Sequence, residues 1–117
     1  MDVASYDQCL VDLALEIWQI AENHGFHRGR TFGDACALLH SEVSEAYESF
    51  RKNGRHIAYI EVDGKPEGTL SELADILIRV FDTALFDVGA SGQEFASVIR
   101  HKVEYNRRRP YMHGKSI

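Results

Sequence analysis

Two pairs of carboxylates set the chemical question: Glu42 with Glu45, and Glu72 with Asp75, each three residues apart. On a helix, residues three apart project from one face, a turn from each other. With Leu38 set at 0°, the apolar residues Ala35, Ala46, Leu39, Phe50 and Val43 fall within about 140° of it, and Glu42 lies among them at about 40°. Glu45, at about 340°, sits at the edge of that arc. An unpaired buried carboxylate is costly, so such a pair needs a cation or protons. Two facing pairs give four acidic side chains able to converge on one or two hard divalent cations. Oxygen-only ligands favour Mg²⁺ or Mn²⁺ over zinc. Each pair has a plainer explanation as a solvated helix face. Glu72 could also close a capping box with Thr69, and Asp82, one heptad past Asp75, suits a salt bridge to Arg79 as well as a ligand position.

The fourth periodic segment repeats the anomaly with opposite sign. With Phe95 at 0°, Lys102 (about 340°), Asn106 (about 20°) and Arg109 (about 320°) share the side of Val98, Ile99 and Val103. Lys102 and Asn106 pointing inward, with an arginine beyond, would suit a polyphosphate beside a metal cluster. His113, Gly114 and Lys115 then offer a mobile cationic flap. The alternatives are a snorkelling lysine and a helix C-terminus enriched in Arg107, Arg108 and Arg109, which the helix dipole favours.

Four helices are expected to position these groups. The first spans about Ser5 to Asn23, with Ser5 and Gln8 resembling a capping box; the second runs from about Asp34 to Lys52 and stops at Asn53-Gly54. An irregular stretch from Arg55 to Gly68 comes next, in which His56 to Gly64 can form a short strand and turn. The third helix opens at Thr69-Leu70-Ser71-Glu72 and runs to about Val88. Ser91 and Glu94 open the fourth, which ends near Arg109, leaving residues 110–117 as an irregular tail. Both prolines, Pro66 and Pro110, lie outside these helices. The third helix is apolar almost all round, interrupted by a stripe of Glu72, Asp75, Arg79 and Asp82. A helix apolar on nearly every side is buried on nearly every side, which a short chain achieves most easily against a second copy. The expected architecture is one all-α domain over residues 1–117, a four-helix bundle that is dimeric or tetrameric.

Composition narrows the function classes. The chain has 117 residues, 44% of them hydrophobic, and a formal net charge of -5, so a packed core is affordable and disorder is not expected. From Arg100 onward there are six Lys/Arg and one acid; the remainder holds seven Lys/Arg and 17 acids. An acidic body with a basic end argues against stable nucleic-acid binding across the surface. Apolar runs are far short of the roughly 20 residues of a membrane span, and residues 1–8 lack the pattern of a secretory signal. Cys9 and Cys36 have no metal-type spacing and read as buried thiols, so a soluble cytoplasmic protein is expected.

These residues resemble a known family. Leu39-His40-Ser41-Glu42-Val43-Ser44-Glu45-Ala46 is similar to the first acidic motif of the MazG-like, all-α nucleoside triphosphate pyrophosphohydrolases, and Glu72-Leu73-Ala74-Asp75-Ile76 to their second. Asp63 to Gly68, Lys102 with Asn106, and His113-Gly114-Lys115 extend the similarity over about Leu38 to Lys115. The two motifs stand with 26 residues between Glu45 and Glu72. One departure is Ser41, where many members carry a further Glu. The resemblance implies hydrolysis of a nucleoside triphosphate to a monophosphate and pyrophosphate. Glu42, Glu45, Glu72 and Asp75 would hold Mg²⁺, and Glu42 or Glu45 would orient or deprotonate the attacking water. Lys102, Asn106, Arg109, His113 and Lys115 would bind the substrate's phosphates. The base would be held elsewhere, by the first helix with Trp18, the Phe26–Phe32 loop or a partner subunit. A competing reading is a non-catalytic interaction bundle that keeps the fold. A di-iron carboxylate bundle is disfavoured, since no Glu precedes any His by three.

Overall fold

The computed structural model describes residues 3–54 and 58–111. The chain is mostly helical: α1 (Val3–Asn23), α2 (Phe32–Asn53), α3 (Thr69–Asp82) and α4 (Gly92–Arg107), with a hairpin of β1 (Ile60–Val62) and β2 (Lys65–Glu67) before α3. Among the described residues, no helix is long and apolar enough to cross a membrane.

Local chemistry explains most boundaries. Thr31 is extended, its Oγ1 accepts the Asp34 N–H at 3.1 Å, and the Asp34 carboxylate accepts the Thr31 N–H at 3.0 Å. This capping box starts α2 at Phe32, and its hydrogen bonds hold the Asp34 carboxyl below the usual range. Ser91 and Glu94 form the same box at the start of α4. At α1 the expectation fails: the helix already runs from Val3, so Ser5 lies within it, and Gln8 Nε2 donates to Asp12 Oδ1 instead.

The Thr69–Glu72 capping box does not form either, and the reason matters for the site. The N-cap of α3 is Gly68, at φ 105° and without a side-chain cap. A Cβ at Gly68 would fall 2.5 Å from the Ala58 carbonyl oxygen, which accepts the Leu70 N–H at 2.8 Å. That close approach is set by the hairpin, whose Asp63-Gly64 turn has φ 53° and 79°, the positive pair a primed type I turn requires. Thr69 Oγ1 donates across to Ser49 Oγ, and Glu72 is left free of capping duty. The hairpin takes up part of the expected strand; His56 and Ile57 lie outside the described residues.

α3 also ends differently. It gives way at Asp82 to a π-helical turn, Thr83–Asp87, in which the Val88 N–H bonds to the Thr83 carbonyl. Within this wider turn, Phe86 stacks on His27 with ring centroids 4.0 Å apart.

α3 packs between α2 and α1, and α4 packs on α1. Ala14 and Ile17 of α1 meet Phe81 of α3, with Leu10, Leu85, Phe95 and Ile99 around them. This core is small, and the expected all-round burial of the third helix is not reached in one chain: Leu70, Leu73, Leu77 and Ile78 are 45% to 55% exposed. The Cα radius of gyration is 16.5 Å, against about 13 Å for a compact chain of this size. The open row α2–α3–α1–α4 accounts for the difference. Cys9 is exposed and Cys36 half-buried, both free, so the buried-thiol expectation fails; α1 turns Val11, Ala14 and Ile17 inward instead.

Gly68→Ala should lower stability by more than about 1 kcal/mol in denaturant unfolding. Gly64→Ala, where a Cβ meets open space, should lose less. Equal losses would show that the Ala58 contact does not constrain α3.

Candidate metal centre and adjoining cavity

The seam between α2 and α3 brings acids together. Glu42, Glu45 and Glu72 each offer one oxygen within 4.8 Å of the others. Glu42 is only 8% exposed, whereas Glu45 is exposed and Glu72 half-buried. Glu42 Oε1 accepts from Arg79 Nε–H at 2.8 Å, and Glu42 Oε2 is buried with no hydrogen-bond partner among the described residues. Asp75 stands outside the 4.8 Å set but lines the same cavity as Glu42 and Arg79. Three of the four expected ligands therefore converge, with the fourth beside them.

Electrostatics shows what the cluster lacks. Partial desolvation, followed by repulsion from Asp75, Glu45, Glu42 and Glu67, pushes the Glu72 carboxyl up. Desolvation and Glu42 push Asp75 up as well, against the opposing pull of Arg79 and Lys65. Among the described residues, Arg79 is the only cation paired with any of the four acids. An orphaned buried oxygen, three adjacent carboxylates and too little positive charge together fit a hard divalent cation.

Two clefts flank the cluster. One, of about 430 Å³, is walled by Ile17, Ile20, Phe26, Leu38 and Ile78, with Glu42, Asp75, Arg79, Arg30 and Asp82 supplying polar groups. The other, about 510 Å³ and more open, is lined by Glu45, Glu72, Glu48, Glu67 and Lys52. The first owes its shape to a buried ion network. His27 Nδ1 lies 2.6 Å from Glu22 Oε2, and His27 Nε2 lies 2.8 Å from Asp82 Oδ1. Both ring nitrogens are satisfied by these carboxylates when both carry hydrogen. Arg30 reaches Asp82 at 2.9 Å and Asp87 at 2.6 Å and lies over the Phe86 ring. Desolvation acts against the Arg30 charge, but the bonds to Asp87 and Asp82 outweigh it and its pKa rises. The loop carrying Phe26 and Arg30 is thereby tied to the end of α3.

Several sequence expectations change here. Asp82 pairs with His27 and Arg30, not with Arg79, which instead reaches back to Glu42. Lys102 and Asn106 are exposed in the single chain, not turned inward, because α4 packs chiefly on α1 and the π turn. Arg109 is half-buried, and its guanidinium and the Lys102 ammonium both lie against the Tyr105 ring, 5.6 Å and 5.7 Å from its centroid. His113 and Lys115 lie outside the described residues. The sequence pattern does not single out the roles of His27, Arg30 and Lys52. The available signals are the glycine- and cation-rich loop before α2, and the placement of Lys52 one heptad after Glu45.

Comparison of the chain with family models, curated proteins and solved structures gives no match.

A carboxyl whose pKa is raised by folding holds its proton more tightly in the native state. Stability therefore falls as pH rises from the ordinary carboxyl range through the raised value, and the penalty persists above it. In EDTA near pH 7, Glu72→Gln should melt higher than wild type, and Mg²⁺ should raise the wild-type melting temperature more than the variant's. Equal Mg²⁺ shifts, measured by calorimetry, would remove Glu72 from the cation site.

Proposed function

We propose that this chain is a Mg²⁺- or Mn²⁺-dependent nucleoside triphosphate pyrophosphohydrolase of the MazG-like type, converting (d)NTP to (d)NMP and pyrophosphate in a cytoplasmic nucleotide pool. The observation that carries this reading is the meeting of Glu42, Glu45 and Glu72 within 4.8 Å, with Glu42 Oε2 unpartnered, beside an apolar cavity of about 430 Å³. A cavity of that size and lining suits a nucleoside. Glu42, Glu45, Glu72 and Asp75 would hold the cation, which when bound supplies charge against the phosphates and acidity to water.

The protein's own groups divide the remaining work. Glu42 is buried and bonded to Arg79, so Glu45, the exposed member of the pair, is the better base. In the proposed step, the water oxygen bonds to the α-phosphorus as the bond from that phosphorus to the bridging oxygen breaks in line. The water's proton passes to Glu45, and pyrophosphate leaves with the bridging oxygen. Lys52, in the second cleft with Glu45 and Glu72, is placed to offset charge on the departing phosphates.

The complete unit would be a dimer or tetramer. Exposed Leu73, Leu77 and Ile78 of α3, with Val43, Tyr47 and Phe50 of α2, offer the apolar surface for a second copy. From that copy, Lys102, Asn106 and Arg109, with His113 and Lys115 of the tail, would reach the phosphates.

Purified protein should release pyrophosphate from at least one member of a panel of canonical and modified NTPs and dNTPs, only with Mg²⁺ or Mn²⁺. Glu45→Gln should reduce that rate about 100-fold or more without loss of the fold. Release from no member with metal bound would favour the non-catalytic interaction bundle. Leu77→Arg should convert the oligomer to a monomer in light scattering; an unchanged mass would exclude this face as the interface.

A further inference from the structure

Arg79 stands on α3 one turn past Asp75, at the junction of the carboxylate cluster and the apolar cavity, and lines that cavity with Glu42 and Asp75. Its Nε–H donates to Glu42 Oε1 at 2.8 Å, and its side chain is 36% exposed. Among the described residues, Nη1 and Nη2 donate no hydrogen bond. A guanidinium present only to neutralise a carboxylate commonly grips both oxygens with two parallel bonds. Here the contact is single, and among the described residues Glu42 Oε2 remains buried without a partner. One donor of the fork is used and four remain, on a group that stays charged at any working pH.

We infer that Arg79 binds the phosphate next to the nucleoside, its Nη groups donating to a non-bridging oxygen of that α-phosphate while Nε stays on Glu42. This rests on the pyrophosphohydrolase reading of the same site. With the nucleoside in the apolar cavity and the cation among the carboxylates, the phosphate at their junction is the one bonded to the nucleoside; the β- and γ-phosphates lie beyond it. Attack by water loads negative charge onto the non-bridging oxygens of that phosphorus, where a preplaced donor is most effective. The monophosphate product keeps this group and pyrophosphate does not. Arg79 should therefore be felt by monophosphate and triphosphate alike.

The test uses the full chain, wild type, Arg79→Ala and Arg79→Lys, each checked for folding by thermal melting. The probes are inorganic pyrophosphate and the nucleoside monophosphate of the base that wild type hydrolyses fastest. Binding is measured by calorimetry in EDTA and in Mg²⁺. Monophosphate affinity should fall about tenfold or more in Arg79→Ala, the scale of one charged hydrogen bond, and by an intermediate amount in Arg79→Lys. Pyrophosphate affinity should change less than about twofold, within the scatter of a lost distant charge. Unchanged monophosphate binding in Arg79→Ala overturns the assignment. So does an equal loss for both probes, which would make Arg79 only a support for Glu42. If Arg79→Ala does not fold, Arg79→Lys decides on the same two probes. Wild type that hydrolyses no nucleotide and binds no monophosphate would sink the pyrophosphohydrolase reading itself, and this assignment with it.

Discussion

A carboxylate at a helix–helix seam has to be compensated, because removing its charge from water is costly. Glu42 is in that position, and the features around it reflect how the compensation is arranged. Arg79 satisfies one oxygen and leaves the other orphaned. Glu45 and Glu72 then add negative charge where positive charge is already short. Packing of α2 on α3 holds the three acids together despite their repulsion, and desolvation with that repulsion drives Glu72 and Asp75 toward the protonated form.

The position of α3 therefore matters more than its sequence. Gly68 lets its first turn pass within hydrogen-bonding reach of Ala58, and the hairpin fixes that approach. With no side-chain cap, Glu72 is available to face α2. At the other end of α3, the π turn brings Phe86 onto His27 and Asp87 to Arg30. The buried His27–Asp82–Arg30 network thus secures the loop that walls the cavity. The cavity between them is therefore charged toward both ends, with Glu42, Asp75 and Arg79 near the acid cluster and Asp82 with Arg30 at the loop.

Legibility in the sequence depends on distance along the chain. The acid pairs and the cap at Ser91 involve residues three apart, where helix geometry alone sets the relationship. Periodicity also exposes the apolar third helix, whose outer residues stay open in one chain. The failures are of two kinds. Thr69 and Glu72 have the residue types of a cap, but a backbone approach from Ala58, twelve residues upstream of Leu70, takes precedence. The wheel angles of Lys102 and Asn106 say which side of the helix they occupy but not what covers it.

The sequence by itself determined the helices, the two acid pairs and the stripe holding Glu72, Asp75, Arg79 and Asp82, since each is set by spacing within one element. It also set the excess of negative charge that any fold of this chain must place. Only the tertiary structure decided which acid is buried, that Arg79 answers Glu42 while Asp82 answers His27 and Arg30, and that one oxygen is left without a partner. Those outcomes depend on the relative rotation of α2, α3 and the loop between α1 and α2. Residues 37 and 55 apart in the chain meet there, and no local periodicity encodes that distance.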